Sequence, residues 1–97
     1  MTLYRDASME AFYEAGKETW PCEVRISSGE IAVSYDGDTG PVTYSGKEVA
    51  PGHFKLEVVQ PVRGRATLHQ MPGDSVLEGW WIEEGEQGMW RIDLNEE

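Results

Sequence analysis

The chain has 97 residues, a length that accommodates one small domain with a modest core. Its 18 acidic residues against 8 basic ones give a net charge of −10, which repels nucleic-acid phosphates and anionic membrane surfaces. We therefore expect neither a nucleic acid nor a membrane to be a direct partner. The charge can serve solubility alone, or it can attract a basic partner protein.

The lone Cys22 excludes an intrachain disulfide framework. The first ten residues lack the basic and apolar regions of a secretion signal. The longest apolar run, Gly79 to Ile82, is far too short to span a membrane. These features predict a soluble cytoplasmic protein.

The N-terminal residues 1–21 show a helical pattern. Ser8 can cap a short helix, and Gly16 stands where a terminating glycine belongs. The apolar residues of one helical face are Met9, Phe12 and Tyr13. We predict a short helix that covers the open end of a barrel formed by residues 22–97, within a single domain. A helix that binds a partner is the alternative.

From Cys22 onward, apolar residues recur at every second position, the period of a β-strand. The first two runs carry Cys22, Val24 and Ile26, then Ile31, Val33 and Tyr35. A two-residue turn at Ser28-Gly29 pairs Ile26 with Ile31 and places all of these side chains on one face. The pattern therefore predicts a hairpin with a defined register.

The next hairpin turns at Ala50 to His53, where proline and glycine suit a type II turn. Val42 and Tyr44 occupy even positions, whereas Val49 occupies an odd one. All three side chains can face the core only if one extra residue is accommodated in a β-bulge. We predict the bulge at Gly46, because glycine is the usual residue where a strand is irregular.

The last hairpin, Val76 to Leu94, carries three of the four tryptophans. Trp90 lies on the apolar face, whereas the neighbours Trp80 and Trp81 must point to opposite faces, so one of them faces outward. With the strand at Arg65 to His69, the chain contains about seven short strands joined locally. We predict a mainly β fold, a small antiparallel up-and-down β-barrel that is calycin-like or half-open.

The tripeptides Gly79 to Trp81 and Gly88 to Trp90 resemble those of small calycin-like barrels such as lipocalins and avidins. The resemblance covers two tripeptides and implies a barrel architecture. No ligand and no site residue is transferred on that basis.

The sequence contains no convincing catalytic or metal motif. Asp36 to Gly40 begins like a calcium loop, but Gly40 and Lys47 occupy positions where an EF-hand needs oxygen ligands, so we interpret it as a turn. His53 and His69 alternate with core residues and should face outward, away from the inward Cys22. A Cys–His dyad or zinc site is therefore not expected.

Two functional hypotheses follow. The first is a non-enzymatic module whose acidic exterior and exposed tryptophan bind another protein, with Glu83, Glu84 and Glu86 near Trp80 or Trp81. If that protein binds nucleic acid, the acidic face could imitate phosphates and inhibit it. The alternative is a carrier or sensor of a small apolar ligand held inside the barrel. Its lining would be Tyr35, Tyr44, Phe54, Trp81 and Trp90.

Under either hypothesis, we expect the protein to be a monomer or a homodimer and to need no cofactor or metal. An enzyme ranks third, because no nucleophile, base and orienting residue can be placed on one face of the sheet.

Overall fold

The computed structural model describes residues 2–14, 16–37, 40–60 and 62–95. Eight antiparallel strands follow one another around a closed barrel, each hydrogen-bonded to the next, and the last strand pairs with the first. The predicted antiparallel up-and-down barrel is confirmed, with eight strands instead of about seven. The strands are β1 (Thr2–Tyr13), β2 (Gly16–Ser27), β3 (Glu30–Gly37), β4 (Gly40–Ala50), β5 (His53–Val58), β6 (Gly64–His69), β7 (Val76–Glu83) and β8 (Glu86–Asp93).

The short N-terminal helix predicted within residues 1–21 is wrong. Thr2–Tyr13 forms β1, which closes the barrel between β2 and β8, and Pro21 lies within β2. The N-terminal segment is thus part of the barrel wall and not a cover over its end. The described part of the chain contains no helix long and apolar enough to cross a membrane.

The local sequence of β1 does not show the clear alternation of polar and apolar residues that is typical of a strand. Its inward residues Ala7, Met9 and Ala11 are buried, but the outward Phe12 is also apolar, which masks the alternation. Arg5 and Asp6 form a bulge between Tyr4 and Ala7 that shifts the phase further. Alanine, methionine and glutamate favour helices, yet closing the sheet satisfies the backbone groups at the edges of β2 and β8.

The predicted β-bulge exists, but it lies at Val49 and not at Gly46. Pairing between β4 and β5 is regular through Gly46 and shifts between Glu48 and Ala50. Gly46 has a different role, because a Cβ atom there would overlap the backbone carbonyl of Lys55 on the neighbouring strand. The bulge sits beside the hairpin turn, and Val49 is left exposed.

The predicted hairpin of β2 and β3 is confirmed, with Ile26 opposite Ile31 across the turn. In β7, Leu77, Gly79 and Trp81 point inward, and Trp80 points outward. One tryptophan thus lies in the core and the other on the surface, as predicted. The sequence alone did not show which of the two faces outward.

Candidate functional site

Aromatic side chains fill the interior towards one end of the barrel, which we call the hairpin end. It holds the turns that follow β1, β3, β5 and β7. Trp81 and Trp90 stack with ring centroids 6.5 Å apart, and Tyr44 packs edge-on against Trp90 at 4.9 Å. We call the whole set the aromatic cluster: Tyr13, Trp20, Tyr35, Tyr44, Trp81 and Trp90.

Glu83 lies above this cluster and belongs to the inward register of β7. Its Oε1 atom accepts a hydrogen bond from the Tyr35 hydroxyl at 2.8 Å and another from the Tyr44 hydroxyl at 2.7 Å. Burial, followed by these hydrogen bonds, raises the pKa of both tyrosines. The two phenols therefore stay protonated donors, and Glu83 joins β3, β4 and β7 across the hairpin end.

The other two glutamates predicted to bind a partner, Glu84 and Glu86, have different surroundings. Glu84 accepts a hydrogen bond at Oε1 from the Arg63 amide, and its own amide donates to the Arg63 carbonyl at 3.0 Å. It thereby fastens the β7–β8 turn to the loop before β6. Glu86 is exposed. Its negative charge is a minor contributor, after burial and Glu18, to raising the pKa of Tyr13 to about 12.

The interior positions that the carrier hypothesis assigned to a ligand are occupied by protein. Tyr44, Trp81, Trp90 and Phe54 are all buried in one continuous core, and Tyr35 packs against it. Two depressions of about 280 and 360 Å³ lie on the outside of the barrel. The first is over β2, β3 and β4, and the second is beside the β4–β5 turn. The interior packing does not favour a ligand carrier.

Cys22 is buried on the inward face of β2, and the histidines are exposed on the outside, so the structure forms no Cys–His dyad from these residues. The described residues also include no group of three or more His, Cys, Asp or Glu side chains that could hold a metal ion. Asp38 and Thr39, in the middle of the calcium-like loop, lie outside the described residues.

Burial of Cys22 predicts an alkaline loss of stability. It raises the pKa of the thiol from 9.0 to about 12, so between these values the unfolded chain ionises while the folded chain retains its proton. This contribution to stability is complete below about pH 9 and is lost as the pH rises towards 12. We expect the urea midpoint to fall between about pH 8 and pH 10.5. The fall should be smaller in Cys22→Ala, and an equal fall in both proteins would contradict the assignment.

An exposed apolar row crosses the outer face of β1, β8 and β7. Phe12 is directly opposite Met89, and Met89 is directly opposite Trp80. Their exposed fractions are 37% for Phe12, 50% for Met89 and 37% for Trp80. We call these three residues the apolar row. Trp80 was predicted as a possible outward anchor, but Phe12 and Met89 were missed.

The missed residues differ in how far the sequence could have revealed them. Met89 precedes Trp90 in β8, so strict alternation from the inward Trp90 places it outside. Phe12 had no such signal, since it was assigned to a helix. Lys17 is opposite Phe12 on β2, and its Nζ atom lies 6.0 Å from the Phe12 ring centroid. The same atom forms a 3.1 Å ion pair with Glu10, so the Lys17 side chain interacts with both residues of β1.

The apolar row lies close to the hairpin end, where negative charge predominates. The described residues at the strand ends and turns there include three basic side chains, Lys17, Arg63 and Arg65. The acidic ones are Glu14, Glu18, Asp36, Glu57, Glu83, Glu84 and Glu86. A surface that approaches the row from this end therefore meets a negative potential.

The fold defines a small closed β-barrel of the up-and-down class, an architecture found in lipocalins and streptavidin. Comparison with models of protein families, with curated proteins and with solved structures finds no significant match to this chain. Because one architecture supports many functions, function has to be argued from the packed interior and the apolar row.

Proposed function

We propose that this protein is a non-enzymatic interaction module that binds another, basic protein through the apolar row. The observation that carries the proposal is the direct cross-strand contiguity of Phe12, Met89 and Trp80 on the outside of the barrel. Single exposed apolar residues are ordinary on protein surfaces, whereas contiguous ones are typical of interaction sites. Aromatic residues and methionine are also enriched in protein interfaces.

The rigidity of the supporting strands favours this use. Trp80 is held between β6 and β8 by regular pairing with Thr67 and Met89. Phe12 is likewise held between Lys17 and Met89. A partner therefore meets side chains whose backbone is already ordered, which limits the entropy lost on binding.

Charge complementarity selects the kind of partner. The net charge of −10 and the acidic hairpin end attract a surface that carries lysine and arginine around an apolar centre. The same charge opposes association of two copies at low salt. A nucleic-acid-binding protein, inhibited because the acidic end imitates phosphates, is the more specific form of this proposal.

The proposal is testable with a displayed library of random peptides, selected on the folded chain at low salt. We expect the selected peptides to be enriched in basic and aromatic residues. Changing Trp80 and Met89 together to serine should weaken their binding at least about thirtyfold, the effect of losing an interface hot spot of about 2 kcal/mol. Fluorescence anisotropy of a labelled peptide measures the change.

Met71→Ser is the matched control, because Met71 is 71% exposed and lies in the loop between β6 and β7, away from the apolar row. This variant should bind the peptides like the original chain. Raising the salt concentration should weaken binding. Peptides without basic residues, or equal losses in both variants, would overturn the proposal.

A further inference from the structure

The two histidines of the sequence, His53 and His69, meet on the outer surface of the barrel. They are directly opposite each other on β5 and β6, with ring centroids 4.5 Å apart in an edge-to-face arrangement. Both side chains are exposed. Two imidazoles on neighbouring strands are thus within reach of a common ion, although they are sixteen positions apart in sequence.

A hydrogen bond determines which nitrogen of His69 can bind a metal. Its Nδ1 atom lies 3.3 Å from the backbone carbonyl oxygen of Glu78. A carbonyl can only accept, so Nδ1 must carry the proton, and in the neutral ring Nε2 then holds the free electron pair. Histidines that ligate metals commonly donate their second nitrogen in this way, which fixes the tautomer and the ring orientation.

We propose that His53 and His69 form a two-imidazole site for a divalent transition-metal ion of the Zn²⁺, Ni²⁺ or Cu²⁺ class. Neutral imidazole suits these ions, whereas Ca²⁺ and Mg²⁺ prefer oxygen ligands. Water completes the coordination, in keeping with the lack of a third converging ligand among the residues that the structure describes. Because His53 is exposed, its ring can turn a nitrogen towards an ion held at Nε2 of His69 without disturbing the core.

The outer face around the pair carries side chains of both signs, the acidic Glu78 and the basic Lys55 and Arg91. Glu78 is directly opposite His69 on β7, on the same outer face, and places a carboxylate on the strand beside the pair. The overall charge of −10 adds a long-range attraction for positive ions. The site is independent of the proposed protein-binding function, since it needs neither Met89 nor Phe12.

The test is a titration of the untagged chain with Ni²⁺, followed by calorimetry and by NMR of the imidazole resonances. We expect one ion per chain and selective paramagnetic broadening of both histidines. His53→Ala and His69→Ala should each weaken binding at least about tenfold, since either change leaves a single imidazole. Both positions are exposed, so circular dichroism and the thermal midpoint without metal should stay unchanged.

Thr67→Ala is a useful control on the same strand as His69, and it should bind Ni²⁺ like the original chain. Two independent ions per chain, or an affinity unaffected by His69→Ala, would overturn the proposal. Binding of the selected peptides in the presence of a chelator separates the two proposals: it should be unchanged in both histidine variants, whatever the metal titration shows.

Discussion

Replacing Trp90 by alanine is expected to lower the free energy of unfolding by about 3–5 kcal/mol, the range measured when large aromatic residues are removed from cores. Trp90 is almost fully buried and contacts Trp81, Tyr44 and Tyr35, so its loss leaves a cavity bordered by rings that cannot all move inward. Small domains are stable by about 5–15 kcal/mol. The variant should therefore be marginally folded or unfolded.

Trp80→Ala is the control for this prediction. The residue type is the same and lies on the neighbouring strand, but Trp80 points outward, so its removal creates no internal cavity. We expect a change of about 1 kcal/mol or less, as for most surface substitutions. Urea unfolding followed by circular dichroism measures both variants. Equal losses would show that the interior is not organised around Trp90.

A comparably large effect is expected from Gly79→Ala. A Cβ atom at Gly79 would overlap the backbone carbonyl of Thr67 and lie 3.0 Å from the Cα atom of Leu68. These are backbone atoms of β6, held by pairing on both sides, and they cannot rotate away as a flexible side chain could. We expect a loss of about 3 kcal/mol or more, at the upper end for overpacked cores.

Gly85 supplies the contrasting substitution. It lies in the β7–β8 turn with φ of 84°, and a Cβ atom there would meet open space. Asparagine tolerates this left-handed conformation, so Gly85→Asn should cost about 1 kcal/mol or less. If Gly79→Ala unfolds at the same urea concentration as the original chain, the backbones of β6 and β7 at Thr67 and Gly79 must lie further apart than in this structure.

The same steric reason explains the glycine–tryptophan spacing noted in the sequence. Gly79 precedes Trp81 by two residues, Gly88 precedes Trp90 by two, and all four belong to the inward register of their strands. A Cβ atom at Gly88 would overlap the Phe12 carbonyl of β1. The glycines permit the close approach of strands, and the tryptophans fill the space beside them.

Prediction of the candidate site succeeded only in part, because its members come from distant strands. The outward direction of one tryptophan followed from simple alternation, and so did the exposure of both histidines. The neighbours of Trp80 did not follow, because Phe12 reaches Met89 only through the pairing of the first strand with the last. Glu83 was assigned to the acidic exterior, whereas its carboxylate accepts hydrogen bonds from Tyr35 and Tyr44 at the hairpin end.

The amino-acid sequence by itself determined seven strands and most of their inward residues, since alternation of polar and apolar side chains is a local property of each strand. Only the tertiary structure decided that Thr2–Tyr13 is the eighth strand, that Trp81 is the inward indole and that the bulge lies at Val49. These features depend on register between strands and on closure of the sheet. Hydrogen bonding across the β1–β8 seam stabilises an extended conformation that the helix-favouring residues of the N-terminus would not adopt alone.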